Sequence, residues 1–148
     1  MLRLITLLML AIGIAISPTI KVSAGISGGT TDLFDINIEN TGSVDKSTGQ
    51  VTLTVEITCL EDIFIEGANC QAIQISGRNF YQGFGFFDFD EEDEECSSGE
   101  VLTIPITLFP DTGVPKKGPT SVGCDVFACT ADFFECGSEG TGATVKLK

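Results

Sequence analysis

The chain has 148 residues, no histidine, and 8 Lys and Arg against 21 Asp and Glu, for a formal net charge of −13 at pH 7. That acidic excess argues against nucleic acid and anionic membrane surfaces as partners, because their phosphates are repelled. Without histidine, the usual base for a serine or cysteine nucleophile is missing, and an enzyme is not expected.

The first 24 residues read as an export signal. Arg3 supplies a positive start, residues 4–16 are almost wholly apolar, Pro18 breaks the run, and Val22-Ser23-Ala24 presents small residues for cleavage after Ala24. The apolar run, about 13 residues, is short of the roughly 20 that a membrane-spanning helix needs. Residues 25–148 are then one secreted domain, long enough for a core of its own. Loss of Arg3 and Lys21 would leave six basic residues against 21 acidic ones, a net charge of −15. All six cysteines (Cys59, Cys70, Cys96, Cys124, Cys129 and Cys136) fall in this part. An even count behind an export signal implies three disulfides.

Residues 26–31 form a Gly/Ser/Thr linker, and residues 33–40 alternate Phe34, Ile36 and Ile38 with Asp35, Asn37 and Glu39, which predicts a first strand. Residues 40–49 read as a polar loop. Residues 49–59 are the clearest strand: Val51, Leu53, Val55, Ile57 and Cys59 on one face, Thr52, Thr54, Glu56 and Thr58 on the other. Residues 60–69 read as a loop, at most with a short edge strand. Residues 70–76 predict a strand with Ile73 and Ile75 inward. Gly77-Arg78-Asn79 is a turn, and residues 80–89 return as an aromatic strand.

Residues 101–109 alternate again, with Leu102, Ile104, Ile106 and Leu108 inward. Pro105 on the outer face demands a free edge or a bulge there. Residues 109–119 read as a loop. Its Phe-Pro-Asp-Thr-Gly is like a sortase signal, but no apolar segment follows it. Residues 120–129 are a strand, 131–140 an acidic loop, and 142–148 a closing strand with Ala143, Val145 and Leu147 inward. About seven strands and no amphipathic helix predict an all-β, Ig-like antiparallel sandwich, with a Greek-key barrel as the second choice.

The pattern Gly-x-Val-Thr-Leu-Thr-Val-x-Ile-Thr-Cys at 49–59, Cys-x-x-Gly-Glu at 96–100, Pro-Asp-Thr-Gly at 110–113, Cys-x4-Cys at 124–129 and Val-Lys-Leu-Lys at 145–148 resembles small exported Ig-like domains of bacteria. A fainter similarity, on Cys59 with Cys70 and on Cys124 with Cys129, is to the neocarzinostatin family, secreted sandwiches that carry a chromophore. On the sandwich reading, Cys59 meets Cys96, Cys124 and Cys129 close a short loop, and Cys70 takes Cys136. The neocarzinostatin resemblance implies Cys59 with Cys70 and Cys96 with Cys136 instead.

The most singular stretch is 80–95. It holds half of the chain's aromatic residues: Phe80, Phe84 and Phe86 on one face, Tyr81, Phe87 and Phe89 on the other. A sandwich strand has one core face, so some of these rings are expected outside, as a contact surface for a protein or a sugar ring. Asp88, Asp90, Glu91, Glu92 and Asp93 begin an acidic run of the oxygen-ligand type that calcium takes, although without any calcium-loop spacing, so a solvated loop is the plainer reading. The expected role is non-catalytic extracellular binding. A small-ligand carrier with a cleft lined by Phe84, Phe86 or Phe87, and an assembly subunit with an open strand edge, are the alternatives.

Overall fold

The computed structural model describes residues 32–88 and 94–148. The expected export signal and residues 89–93 of the acidic run lie outside the described residues. Among those described there are nine strands and no helix: β1 (Phe34–Ile38), β2 (Thr41–Val44), β3 (Val51–Cys59), β4 (Ile63–Ser76), β5 (Asn79–Asp88), β6 (Glu94–Cys96), β7 (Val101–Thr112), β8 (Gly118–Thr130) and β9 (Cys136–Leu147).

Seven of them close a ring in the order β3–β2–β9–β8–β4–β5–β7 and back to β3. All neighbours are antiparallel except β2 and β9, which run parallel. The two remaining strands extend this ladder as edge strands, β1 along β3 beyond β2 and β6 along β4 beyond β5. A closed mixed barrel therefore stands where two separate sheets were expected. Closure removes most of the open edge that strand addition by another chain would need.

The strand that closes the ring is one that the sequence reading placed in a loop. β2 is Thr-Gly-Ser-Val, too short and polar to alternate visibly. A Cβ at Gly42 would stand 2.9 Å from a Leu53 methyl and 3.1 Å from one of Leu147, so only glycine lets β2 slip between β3 and β9. The amides of Lys146 and Lys148 then donate to the carbonyls of Asn40 and Gly42, at 2.8 and 3.0 Å.

β3 and β7 fold as their alternation dictates. Val51, Leu53, Val55, Ile57, Ile104, Ile106 and Leu108 are buried inside the barrel. Each such side chain contributes about 1.5–3 kcal/mol relative to remaining exposed. Pro105 pairs with Thr54 of β3, while the β5–β7 ladder spans only Phe109–Thr112, so the proline has a ladder partner on one side.

β4 differs most from expectation. It starts at Ile63, not Cys70, and carries a bulge between Ile65 and Gly67. The extra residue reverses the phase. Ile63 and Ile65 face inward before it; Ala68, Cys70, Ala72 and Gln74 face inward after it. Ile73 and Ile75, expected inside, are consequently outside.

Three disulfides form. Cys59 joins Cys96, as the strand argument anticipates. The other expected pairs are replaced by Cys70–Cys124 and Cys129–Cys136, so the resemblance-implied Cys59–Cys70 and Cys96–Cys136 pairs are not formed either. Cys124 and Cys129 lie in one extended strand, about 17 Å apart at 3.4 Å per residue, which no disulfide spans. Each instead faces a cysteine directly across a ladder, Cys70 on β4 and Cys136 on β9, with Cα separations of 4.1 and 4.0 Å.

Candidate functional site

β5 supplies the side chains of the site. Its pairing with β4 sets Phe86 opposite Asn69, Phe84 opposite Gln71, Gln82 opposite Ile73 and Phe80 opposite Ile75. The same β4 residues pair on their other edge with β8: Asn69 with Asp125, Gln71 with Gly123, Ile73 with Ser121. Gly123 continues to Gly142, and Asp125 to Gly140, on β9. On the far edge of β5, Phe84 pairs with Phe109 of β7. Two rows therefore cross the outside of the barrel: Phe109–Phe84–Gln71–Gly123–Gly142, and Phe86–Asn69–Asp125–Gly140.

Rings stand at one end of these rows, and glycines at the other. Between them lies an open groove of about 440 Å³. Phe84 and Phe86 wall it. Gln71 and Gly123 form its floor, and Asn69, Ser121 and Asp125 contribute polar groups. A Cβ at Gly123 would find nothing nearer than the Thr141 carbonyl, at 3.9 Å, so the missing side chain there gives the groove depth rather than relieving a clash. The Asp125 carboxylate folds over Gly140.

The aromatic residues singled out in the sequence divide between two surroundings. Phe80, Phe84 and Phe86 face outward, with Phe86 76% exposed. Tyr81 is buried in the barrel, and Phe87 packs against the core. The Tyr81 hydroxyl has no hydrogen-bond partner among the described residues, and burial pushes its ionisation upward. Phe89 lies outside the described residues. Phe84 and Phe86 thus line an external groove, while Phe87 points to the interior; the three do not share a cleft between sheets.

The candidate calcium ligands Asp90, Glu91, Glu92 and Asp93 lie outside the described residues, and of Asp88 only the backbone is described. Among the described residues, no three acidic groups converge as a metal cage. Among the described residues, the Glu139 carboxyl is held above its ordinary range, first by burial and then by the charges of Asp32 and Asp35.

Sequence reasoning missed Asn69, Gln71, Ser121 and Asp125. Nothing local marks them. They join the site through cross-strand register, and that register depends on the β4 bulge and on the ring order.

No family model matches the chain, and no curated protein matches it. A solved structure from Bordetella pertussis, provisionally assigned as an ApaA protein, is similar in fold at a TM-score of 0.51 and 10% identity, over 77% of this chain and 94% of that one.

Proposed function

We propose that this is an exported, non-catalytic binding domain whose outer groove takes a neutral, polyhydroxylated ligand such as a glycan chain. The observation that carries the reading is the juxtaposition of Phe84 and Phe86 with Asn69, Gln71 and Asp125 in one open groove. A sugar ring offers an apolar face of C–H groups and an equatorial rim of hydroxyls. Aromatic walls cover the first, and amides with both donor and acceptor atoms serve the second. A carboxylate adds charge-assisted acceptance. The groove is open along the surface, which suits a chain better than a compact small molecule, since compact ligands are largely enclosed. The acidic molecule disfavours an anionic polysaccharide. Three disulfides fit an oxidising, extracellular setting.

Calorimetric titration with cello-, manno- and chito-oligosaccharides tests the proposal. One series is expected to bind the wild-type protein, with affinity lost at least tenfold in Phe84→Ala and in Gly123→Leu. A Cβ at that position meets nothing nearer than 3.9 Å, so the leucine enters the groove floor without a backbone clash. Heats indistinguishable from dilution for all three series, or binding untouched by both substitutions, would overturn it.

A further inference from the structure

The strand directions gather the described basic residues at one end of the barrel, with Asp45 and Asp111 among them, and leave the other end acidic. The β2–β3, β4–β5 and β7–β8 connections and the end of β9 share one end. They hold Lys46, Arg78, Lys116, Lys117, Lys146 and Lys148, which are all the basic residues among those described. The β3–β4, β6–β7 and β8–β9 connections share the other end, with Glu61, Asp62, Glu100, Asp132 and Glu135.

Each end also carries exposed apolar side chains. At the acidic end, the β8–β9 connection is stapled at its base by Cys129–Cys136. Asp132 accepts from the Thr130 hydroxyl at 2.6 Å and from the Phe134 amide at 3.2 Å. Phe133 sits at a φ of 57° and stacks on Phe64, with ring centroids 5.6 Å apart. The connection is thereby fixed with Phe134 at its tip, 88% exposed. A ring held out in water on a braced loop is preorganised for insertion, because little ordering entropy remains to be lost on contact.

At the basic end, Ile75 and Phe80 pair across β4 and β5, and Ile75 is 76% exposed. The loop after β7 runs beside them. Gly113 lies against the Phe80 backbone, exposed Val114 follows it, and Gln74 holds the backbone of Lys116. An apolar patch is thus rimmed by Arg78, Lys116 and Lys117.

We infer that the acidic, Phe134-bearing end of one molecule docks on the basic, Ile75/Phe80/Val114 end of a second copy of this chain. Sign and polarity match at both levels: apolar tip to apolar patch, acidic rim to basic rim. The two surfaces differ and lie at opposite ends of one barrel. The contact is therefore head-to-tail and continues into an open filament rather than closing as a symmetric dimer. It uses neither Phe84 nor the groove, so it stands apart from the proposed glycan site.

Sedimentation velocity across a concentration series at about 0.1 M salt tests this. The wild-type mass is expected to rise with concentration there, where repulsion between two net-negative copies is screened beyond a Debye length of about 10 Å while the facing rims still attract. Phe134→Asp and the double variant Lys116→Glu/Lys117→Glu are each expected to stay monomeric with wild-type circular dichroism. An equimolar mixture of the two should form dimers and stop there, since each variant keeps one competent end. A wild-type protein that is monomeric throughout, association that survives in either variant, or a mixture that stays monomeric or grows past the dimer would overturn the inference.

Discussion

Gln74 grips the backbone of Lys116 with both atoms of its side-chain amide. Its Nε2 donates to the Lys116 carbonyl at 2.7 Å, and its Oε1 accepts from the Lys116 amide at 2.8 Å. Nε2 also reaches the Thr120 hydroxyl at 3.0 Å. The Gln74 and Thr120 side chains are buried and the two bonds to Lys116 are part-buried, so the contact ties the β7–β8 loop to β4. Gln74→Leu is expected to cost about 1–3 kcal/mol in urea unfolding, because it leaves both Lys116 backbone groups without their partner. It should also quicken hydrogen exchange at the Lys116 amide before other regions respond.

Tyr81 gives the opposite expectation. Its hydroxyl is buried with no described partner, so Tyr81→Phe should raise stability, by about 1 kcal/mol. The sign with pH follows from its upward shift. An acid held above its ordinary value in the folded state keeps its proton there longer than in the unfolded chain. Stability therefore falls as pH climbs past the ordinary phenol range. Wild-type protein should show that alkaline loss in melting temperature, and Tyr81→Phe should show it reduced.

Glu139 reports on the acid side. Its carboxyl is raised by burial, then by Asp32 and Asp35, so the folded state takes up its proton before the unfolded state does. Stability from this group is gained as pH falls through the raised value towards the ordinary carboxylate range. Asp45 and Asp132 act in reverse. Hydrogen bonds from Ser47 lower the first, and those from Thr130 and Phe134 lower the second. Their contribution is present above the ordinary value and is lost as pH drops through their depressed ones. Glu139→Gln should stabilise the protein at neutral pH by a few tenths of a kcal/mol, a surface-sized effect. It should also flatten the rise on mild acidification.

Barrel closure rests on Gly42. Gly42→Val would push a branched side chain into Leu53 and Leu147 and should cost about 1–3 kcal/mol as an overpacked site. The Lys146 and Lys148 amides, which bond across that seam, should then lose exchange protection ahead of the β3–β7 ladder.

The disulfides should rank by loop length. In the chain-entropy model, removing Cys70–Cys124, which spans 54 residues, costs about 4 kcal/mol, while removing Cys129–Cys136, which spans 7, costs about 2.4 kcal/mol. Paired Cys→Ala variants compared by thermal melting check the order.

These features were unequally readable in the sequence. β3, β7 and the end of β9 were visible because side chains there alternate without interruption between core and water. β2 was not, since its one informative residue is a glycine whose meaning lies in two other strands. The phase of β4 was misread because residues 70–76 put their large apolar side chains on the outer face and the small or polar Ala72 and Gln74 on the inner one. That error carried Ile73 and Ile75 to the wrong face. That some rings of β5 face outward was expected, since a sandwich strand has one core face, but which of them do so was left open. Their polar counterparts were not foreseen, because Asn69, Gln71 and Asp125 reach the groove only through register.

The most direct test of the central reading is an amide chemical-shift map of the protein titrated with the oligosaccharide series that gives heat. The account predicts shifts concentrated at Asn69, Gln71, Phe84, Phe86 and Gly123, with the buried amides of β3 still. Shifts centred on another face of the barrel, or none at saturating sugar, would contradict it.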